Sequence, residues 1–240
     1  MVQNIEIIFE NEDFLVINKP AGLLVHAAPN TKEKTLVDWL LENYPEIKNV
    51  GDDPQLRPGI VHRLDKETSG ALLVAKNQAT FQELKALFQA RQIEKTYLAL
   101  VQGKMPQQQG SISLPLAKAK KSTKRTVRAR PEQKTAEAIT DWSVEKEYPA
   151  TKPTEQIFSL LRVKPRTGRT HQIRVHLAAV GHPVVADYLY GGKTARGYRQ
   201  ELNRVFLHAS SLKFKFRQTN YVFEVELPEE LANFLKNLSA

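Results

Sequence analysis

Two short apolar runs, "IEIIFE" and "FLVINK", flank the polar "NED" near the start of the chain, a pattern that predicts a strand, a turn and a second strand before a loop at Lys19-Pro20-Ala21-Gly22. In "TLVDWLLENYP" the apolar positions 36, 37, 40, 41 and 44 recur at helical spacing. Thr35 and Asp38 stand at capping-box separation, and Pro45 ends the run. "TFQELKALFQAR" repeats the pattern: Thr80 with Glu83 is the expected cap, and Phe81, Leu84, Leu87 and Phe88 form the buried stripe. "KTYLALVQG" reads as a strand closed by Gly103. In "TAEAITDWSVEKEY", Ala136, Ala138, Trp142 and Val144 alternate with Glu137, Asp141, Ser143 and Glu145, which predicts a half-buried strand.

"QIFSLLRVKP", "RVFLHASSLKFKF" and "YVFEVELP" complete the set of predicted strands. "THQIRVHLAAVG" predicts a helix with Ile173, Leu177 and Val180 on one face, Thr170 before it and Gly181 just past its end. A last helix is expected in "PEELANFLKNL", with Pro228 at its first turn and Leu231, Phe234, Leu235 and Leu238 inward. Strands following one another through short turns, with few helices between them, predict an α+β fold: a mixed, largely antiparallel sheet with flanking helices.

Residues 59–70, "GIVHRLDKETSG", interrupt the apolar pattern with charge between Ile60-Val61 and the apolar "ALLVA" of residues 71–75. If "HRLD" is extended, Leu64 anchors it while Arg63 and Asp65 project together on the other face. The alternative is a solvated turn that carries its charges on the tip and ends at Gly70. The pattern alone leaves both open.

At 240 residues the chain suits one large domain or two intimate lobes, and it is read as a single domain over 1–240. Lys and Arg number 35 against 26 Asp and Glu, a net charge of +9, which favours an anionic partner such as nucleic acid. The absence of cysteine excludes disulfides, a thiol nucleophile and cysteine-ligated zinc. No signal-peptide pattern and no apolar run near the ~20 residues of a membrane helix is present, so a soluble, cytoplasmic protein is expected.

Basic residues concentrate in two places. Lys118, Lys120, Lys121, Lys124, Arg125, Arg128, Arg130 and Lys134 fall in one stretch, which reads equally as a contact for phosphate and as a solvated loop. Arg166, Arg169, His171 and Arg174 gather around Thr167-Gly168 at a predicted helix start, a natural place for phosphate. Arg174, beside the inward Ile173, is expected to be partly buried and to require a carboxylate. The histidines lack zinc-hydrolase spacing, and no G-x-S-x-G, G-x-G-x-x-G or G-x-x-x-x-G-K motif occurs. Asp65 and Glu67 could be imagined as a glycosidase pair. With Arg63 and Lys66 beside it, however, Asp65 reads as a permanent carboxylate rather than a proton donor.

The segments "NKPAGLLVH", "GIVHRLDKETSGALLVAK", "KTYLALVQG", "RTGRTHQIRVHLAAVGHPVVADYLYG" and "LHASSLKF", in that order, resemble the RluA family of RNA pseudouridine synthases across roughly residues 5–227. Two small departures are Ala186, where the family more often has Gly, and "HAAPN", usually richer in Gly or Pro. The catalytic pattern begins almost at Met1, so no N-terminal S4 RNA-binding domain is expected. The resemblance implies that Asp65 is the essential catalytic residue, with Tyr97 and Arg174 as its partners. It further implies that Arg63 enters the RNA stack when the uridine leaves and that Leu207 packs against the base. His62, Arg166, Arg169, His171, Lys124 and Arg125 complete the candidate RNA-binding set.

The implied reaction turns uridine of transfer or ribosomal RNA into pseudouridine without metal or cofactor, by a monomer with no membrane and no obligate protein partner. A carboxylate kept ionised by Arg174 suits that chemistry, since one hard step becomes two easier ones. An RNA-folding chaperone on the same fold is the alternative, and it would have no need of Asp65, Tyr97 and Arg174 together.

Overall fold

The predicted first strand pair forms as β1 (Glu6–Glu10) and β2 (Phe14–Lys19) in a computed structural model that describes residues 5–27, 32–119, 124–151, 156–192, 198 and 200–238. Next come α1 (Leu36–Asn43), a short 3₁₀ turn (Pro45–Asn49), β3 (Ser69–Ala75), α2 (Gln78–Gln89), β4 (Glu94–Gln102) and β5 (Gln109–Ser113). The short strands β6 (Ala117–Lys118) and β7 (Arg125–Thr126) precede β8 (Ile139–Thr151), β9 (Gln156–Pro165) and α3 (Gln172–Ala179). β10 (Leu207–Phe216), β11 (Thr219–Glu224) and α4 (Glu229–Asn237) close the chain. The strands and helices group into two compact units, Met1–Glu94 with Ala209–Val225, and Lys95–His208 with Glu226–Ala240.

In the first unit, β2 pairs antiparallel with β1 on one side and with β3 on the other, the latter in register from Phe14↔Ala75 to Lys19↔Gly70. β10 neighbours β3, and β11 pairs antiparallel with β10. The continuous apolar runs of β2 and β3 are explained by burial: Phe14 to Ile17 and Ala71 to Ala75 are fully enclosed. Phe9, Phe14, Phe214, Phe216, Tyr221 and Phe223 pack ring against ring, with Phe14 edge-on to Phe216 at 5.6 Å and Tyr221 stacked on Phe223 at 5.8 Å.

Thr35 and Asp38 form the expected reciprocal cap on α1: Asp38 Oδ2 accepts from Thr35 N–H at 2.7 Å, and Thr35 Oγ1 accepts from Asp38 N–H at 3.4 Å. The start of α2 differs from the expected Thr80–Glu83 cap. Asn77 caps it, its Oδ1 accepting from Thr80 N–H at 2.9 Å, while the Thr80 hydroxyl donates to Asp13. Asn is the stronger cap, and it frees Thr80 to tie the helix to the β2 turn.

The second unit carries an antiparallel sheet in the order β4-β9-β8-β5, with Tyr97 opposite Val163 and Trp142 opposite both Val163 and Gly110. The alternation predicted for β8 holds at Ala138, Thr140 and Trp142, all buried, up to a bulge at Val144–Lys146. β6 and β7 make a small separate hairpin. The residue just before α3, at its N-cap, is His171 in a left-handed conformation (φ 56) with no side-chain cap, one residue after the Thr170 expected to precede the helix, and Gly181 (φ 89) lies just past its end. α4 buries Leu231 and Phe234.

Candidate active site

The "HRLD" segment belongs to neither regular element. It is an irregular stretch that turns at Asp65–Thr68, where Thr68 N–H donates to the Asp65 carbonyl at 3.1 Å. Leu64 is buried, Arg63 is exposed and Asp65 is half-buried, so the expected anchoring by Leu64 operates without a strand.

Three ties fix this turn within the first unit. The Lys66 carbonyl accepts from Gly22 N–H at 2.8 Å and from the buried Lys19 ammonium at 3.3 Å, and Lys19 also donates to the carbonyls of Pro20 and Leu23. His62 turns toward the sheet: its Nε2 accepts from Leu73 N–H at 2.9 Å, and its ring packs on Phe88 at 4.7 Å. Gly70 (φ 114) lets β3 pass so close to β10 that a side-chain carbon there would lie 2.2 Å from the Ala209 carbonyl oxygen. These bonds hold the Asp65 carboxylate on a braced turn. Arg63 Nη1 contacts His26 Nε2 at 3.3 Å. Burial, followed by the charges of Arg63 and Arg57, pushes the His26 imidazole below its ordinary pKa, so the neutral ring serves as acceptor.

The second unit supplies the other implied residues. Tyr97 is a buried residue of β4, opposite Val163. Two residues before it, Lys95 extends toward Gly168, its Nζ 3.7 Å from the position of a side-chain carbon at that glycine; burial depresses the pKa of its ammonium. Leu207 is buried, and its carbonyl accepts from Arg204 Nη2 at 2.8 Å, an arginine that also reaches Glu230 of α4.

Arg174 is buried as the sequence implied, and within its own unit a carboxylate meets it. Asp187 takes the guanidinium in a two-bond fork, Nε to Oδ2 and Nη2 to Oδ1, each 2.8 Å. The reading of the sequence did not single out Asp187. Its signal was there to be found: a buried arginine demands an acid, and Asp187 is the first acidic residue after Arg174. Ala186, before it, adopts φ 58, the left-handed region that glycine favours. The departure from Gly noted in the sequence thus falls where backbone conformation gives glycine its advantage.

The remaining candidates differ in how firmly the fold already holds them. Arg166 is exposed and paired with Asp141, and Arg169 is exposed with its Nε donating to the Glu137 carbonyl at 3.1 Å. Gln172 accounts for the compact turn before α3, since its Oε1 accepts from the Thr167 hydroxyl and from Arg169 N–H. His171 bonds through Nδ1 to the Tyr190 hydroxyl at 2.8 Å. Lys124 Nζ donates to the Leu189 carbonyl, and Arg125 Nη2 reaches Thr170 Oγ1 at 3.4 Å. Lys120 and Lys121 lie outside the described residues. Among the described residues, no three His, Asp or Glu side chains are disposed to hold a metal ion, and no helix is long and apolar enough to cross a membrane.

Comparison with known proteins adds an independent line. A family model described as RNA pseudouridylate synthase matches residues 13–179. An uncharacterized RNA pseudouridine synthase of Aquifex aeolicus (strain VF5) is 40% identical over 231 residues, covering 94% of this chain and 70% of that protein. The ribosomal large subunit pseudouridine synthase D of Yersinia pestis is 36% identical over 252 residues, covering 98% of this chain and 71% of that protein. Among solved structures, human RNA pseudouridylate synthase domain containing 1 superposes with a TM-score of 0.74 at 27% identity, covering 100% of this chain and 96% of that one.

Proposed function

The chain belongs to the RNA pseudouridylate synthase family, and we propose that it converts specific uridines of structured RNA to pseudouridine, with Asp65, Tyr97 and Arg174 carrying the chemistry. The reaction breaks the N1–C1′ bond, turns the uracil, joins C5 to C1′ and moves one proton from C5 to the solvent while N1 gains one. No redox change and no second substrate are involved. The Asp65 carboxylate acts in breaking the glycosidic bond, which divides the isomerisation into cleavage and rejoining. Tyr97 lies against the uracil and assists loss of the C5 proton, directly or through water. Arg174 supplies positive charge to the same nucleotide.

The uridine must leave the RNA stack before its atoms can be reached, at a cost of about a few kcal/mol. Arg63, exposed and two residues before Asp65 in the chain, fills the space left behind, and phosphate contacts from Arg166, Arg169, Lys124 and Arg125 offset the remainder. The observation that carries the reading is the braced turn that holds the half-buried Asp65, two residues after the exposed Arg63, within the residues that the family model matches. The name of the Yersinia relative makes ribosomal RNA the first substrate to examine, with transfer RNA second.

The test is site-resolved mapping of pseudouridine in total cellular RNA, with and without the gene. Loss of pseudouridine at one or a few positions is expected, restored by the wild-type gene. Identical maps would contradict the proposal.

A further inference from the structure

We infer that Asp187 is a positioning residue for the reaction, one that fixes the orientation of the Arg174 guanidinium; the inference rests on the reading of Arg174 as a residue of the uridine site. Both side chains are withdrawn from water, Arg174 to 4% exposure and Asp187 to 0%. A buried ion pair of this kind is a poor stabiliser, because its desolvation offsets much of its attraction, and apolar residues of the same volume would pack as well. Its presence calls for a role other than stability.

The geometry supplies one. Asp187 Oδ1 accepts from the backbone N–H groups of Leu189 (2.9 Å) and Tyr190 (3.1 Å) while also accepting from Arg174 Nη2. The carboxylate is therefore clamped by its own turn, and the two parallel bonds transfer that fixed direction to the guanidinium plane. Nη1 lies outside the fork, so the pairing directs one defined edge of Arg174 away from Asp187. The guanidinium carbon also lies over the Tyr190 ring, 5.4 Å from its centre, a second contact from the same turn.

The same turn also holds the basic hairpin. The Tyr190 hydroxyl accepts from Arg125 N–H of β7 at 2.9 Å and shares a second bond with His171 Nδ1, and Lys124 donates to the Leu189 carbonyl at 3.1 Å. Two non-glycine residues bounding this network, His171 (φ 56) and Ala186 (φ 58), sit in the left-handed region. Backbone strain of that sort persists where the surroundings hold it in place for a purpose.

The experiment compares wild type, Asp187→Asn, Arg174→Met and the double variant, as full chains, on the RNA whose modification the cellular mapping identifies. Folded fraction is measured by circular dichroism. For Asp187→Asn the expected result is a fall in kcat of about 100-fold, the scale of a small misplacement of a reacting group, with KM for RNA changed far less. The double variant should be no slower than Arg174→Met, because Asp187 acts only through the guanidinium. A folded Asp187→Asn protein with wild-type kcat overturns the inference, as does a double variant in which the two losses multiply. Should Asp187→Asn fail to fold, the double variant, which leaves no unpaired buried charge, still decides the matter against Arg174→Met. A wild-type chain that forms no pseudouridine contradicts the functional reading itself, an outcome distinct from an active wild type indifferent to Asp187.

Discussion

The ammonium of Lys19, fully enclosed by protein, lies 3.3 Å from the carbonyl oxygen of Lys66, the residue that follows Asp65. Donating also to the carbonyls of Pro20 and Leu23 at 2.7 and 2.9 Å, it joins the loop after β2 to the turn that carries the acid. Lys19→Met removes the donor and leaves buried carbonyl oxygens without it, each loss costing roughly 1–3 kcal/mol. Urea denaturation should show a lower unfolding free energy by at least that amount. Turnover of the folded fraction should fall as well, since the turn loses a brace. Unchanged stability would show that the ammonium is not a structural tie.

Gly70→Ala is expected to be among the most damaging single changes in the chain. The new carbon would stand 2.2 Å from the Ala209 carbonyl oxygen and 2.8 Å from the Ala209 nitrogen, backbone atoms that cannot swing aside, at a φ of 114 that side chains avoid. Its effect should exceed the roughly 1 kcal/mol of a typical substitution several-fold and appear as a large fall in Tm or as insoluble protein. A Tm close to wild type would contradict the close approach of β3 and β10.

Acid should destabilise the fold through His176. Its ring is buried: Nε2 donates to the Leu114 carbonyl at 2.9 Å, and Nδ1 accepts from the Thr140 hydroxyl at 2.9 Å, a neutral arrangement. Burial pushes the imidazole below its ordinary 6.5, only partly countered by the Leu114 bond. The unfolded chain therefore binds more protons than the folded one in the window below 6.5. Stability is full above that value and lost as pH falls through the depressed folded pKa. His26, displaced in the same direction, adds the same sign. Urea midpoints measured between about pH 8 and 5 should decline on the acid side, and His176→Gln should flatten the decline. A flat wild-type profile would contradict this account.

RNA affinity should fall steeply with salt, because contacts with phosphate release counterions. Arg169→Ala and Lys124→Ala, which remove exposed cations, should each weaken binding and lower the slope of log K against log salt by about 1. An unaltered slope for both variants would place the RNA elsewhere on the surface.

Much of the fold was legible because period and punctuation agree in this chain. The α1 cap and the β1–β2 turn follow directly from spacing and turn residues. The misses have different causes. Asn77 outcompetes Thr80 through a local bond, since Asn is the stronger cap, whereas the left-handed His171 that precedes α3 bonds to Tyr190, nineteen residues on. The burial of Arg174 could be inferred from its apolar neighbour, whereas its carboxylate partner within the unit, thirteen residues on, is brought to it by a turn that no local periodicity encodes. Similarly, the basic stretch around Lys124 shows its charge openly, but the seat of Arg125 on Tyr190 depends on tertiary folding alone.

The central claim is that the carboxylate at position 65 makes pseudouridine. Its most direct test is the yield of pseudouridine from unmodified RNA transcripts incubated with purified wild-type or Asp65→Asn protein, with RNA affinity measured in parallel. The account predicts product with wild type, background product with Asp65→Asn and near-equal affinity for both. Wild-type turnover by Asp65→Asn would contradict it.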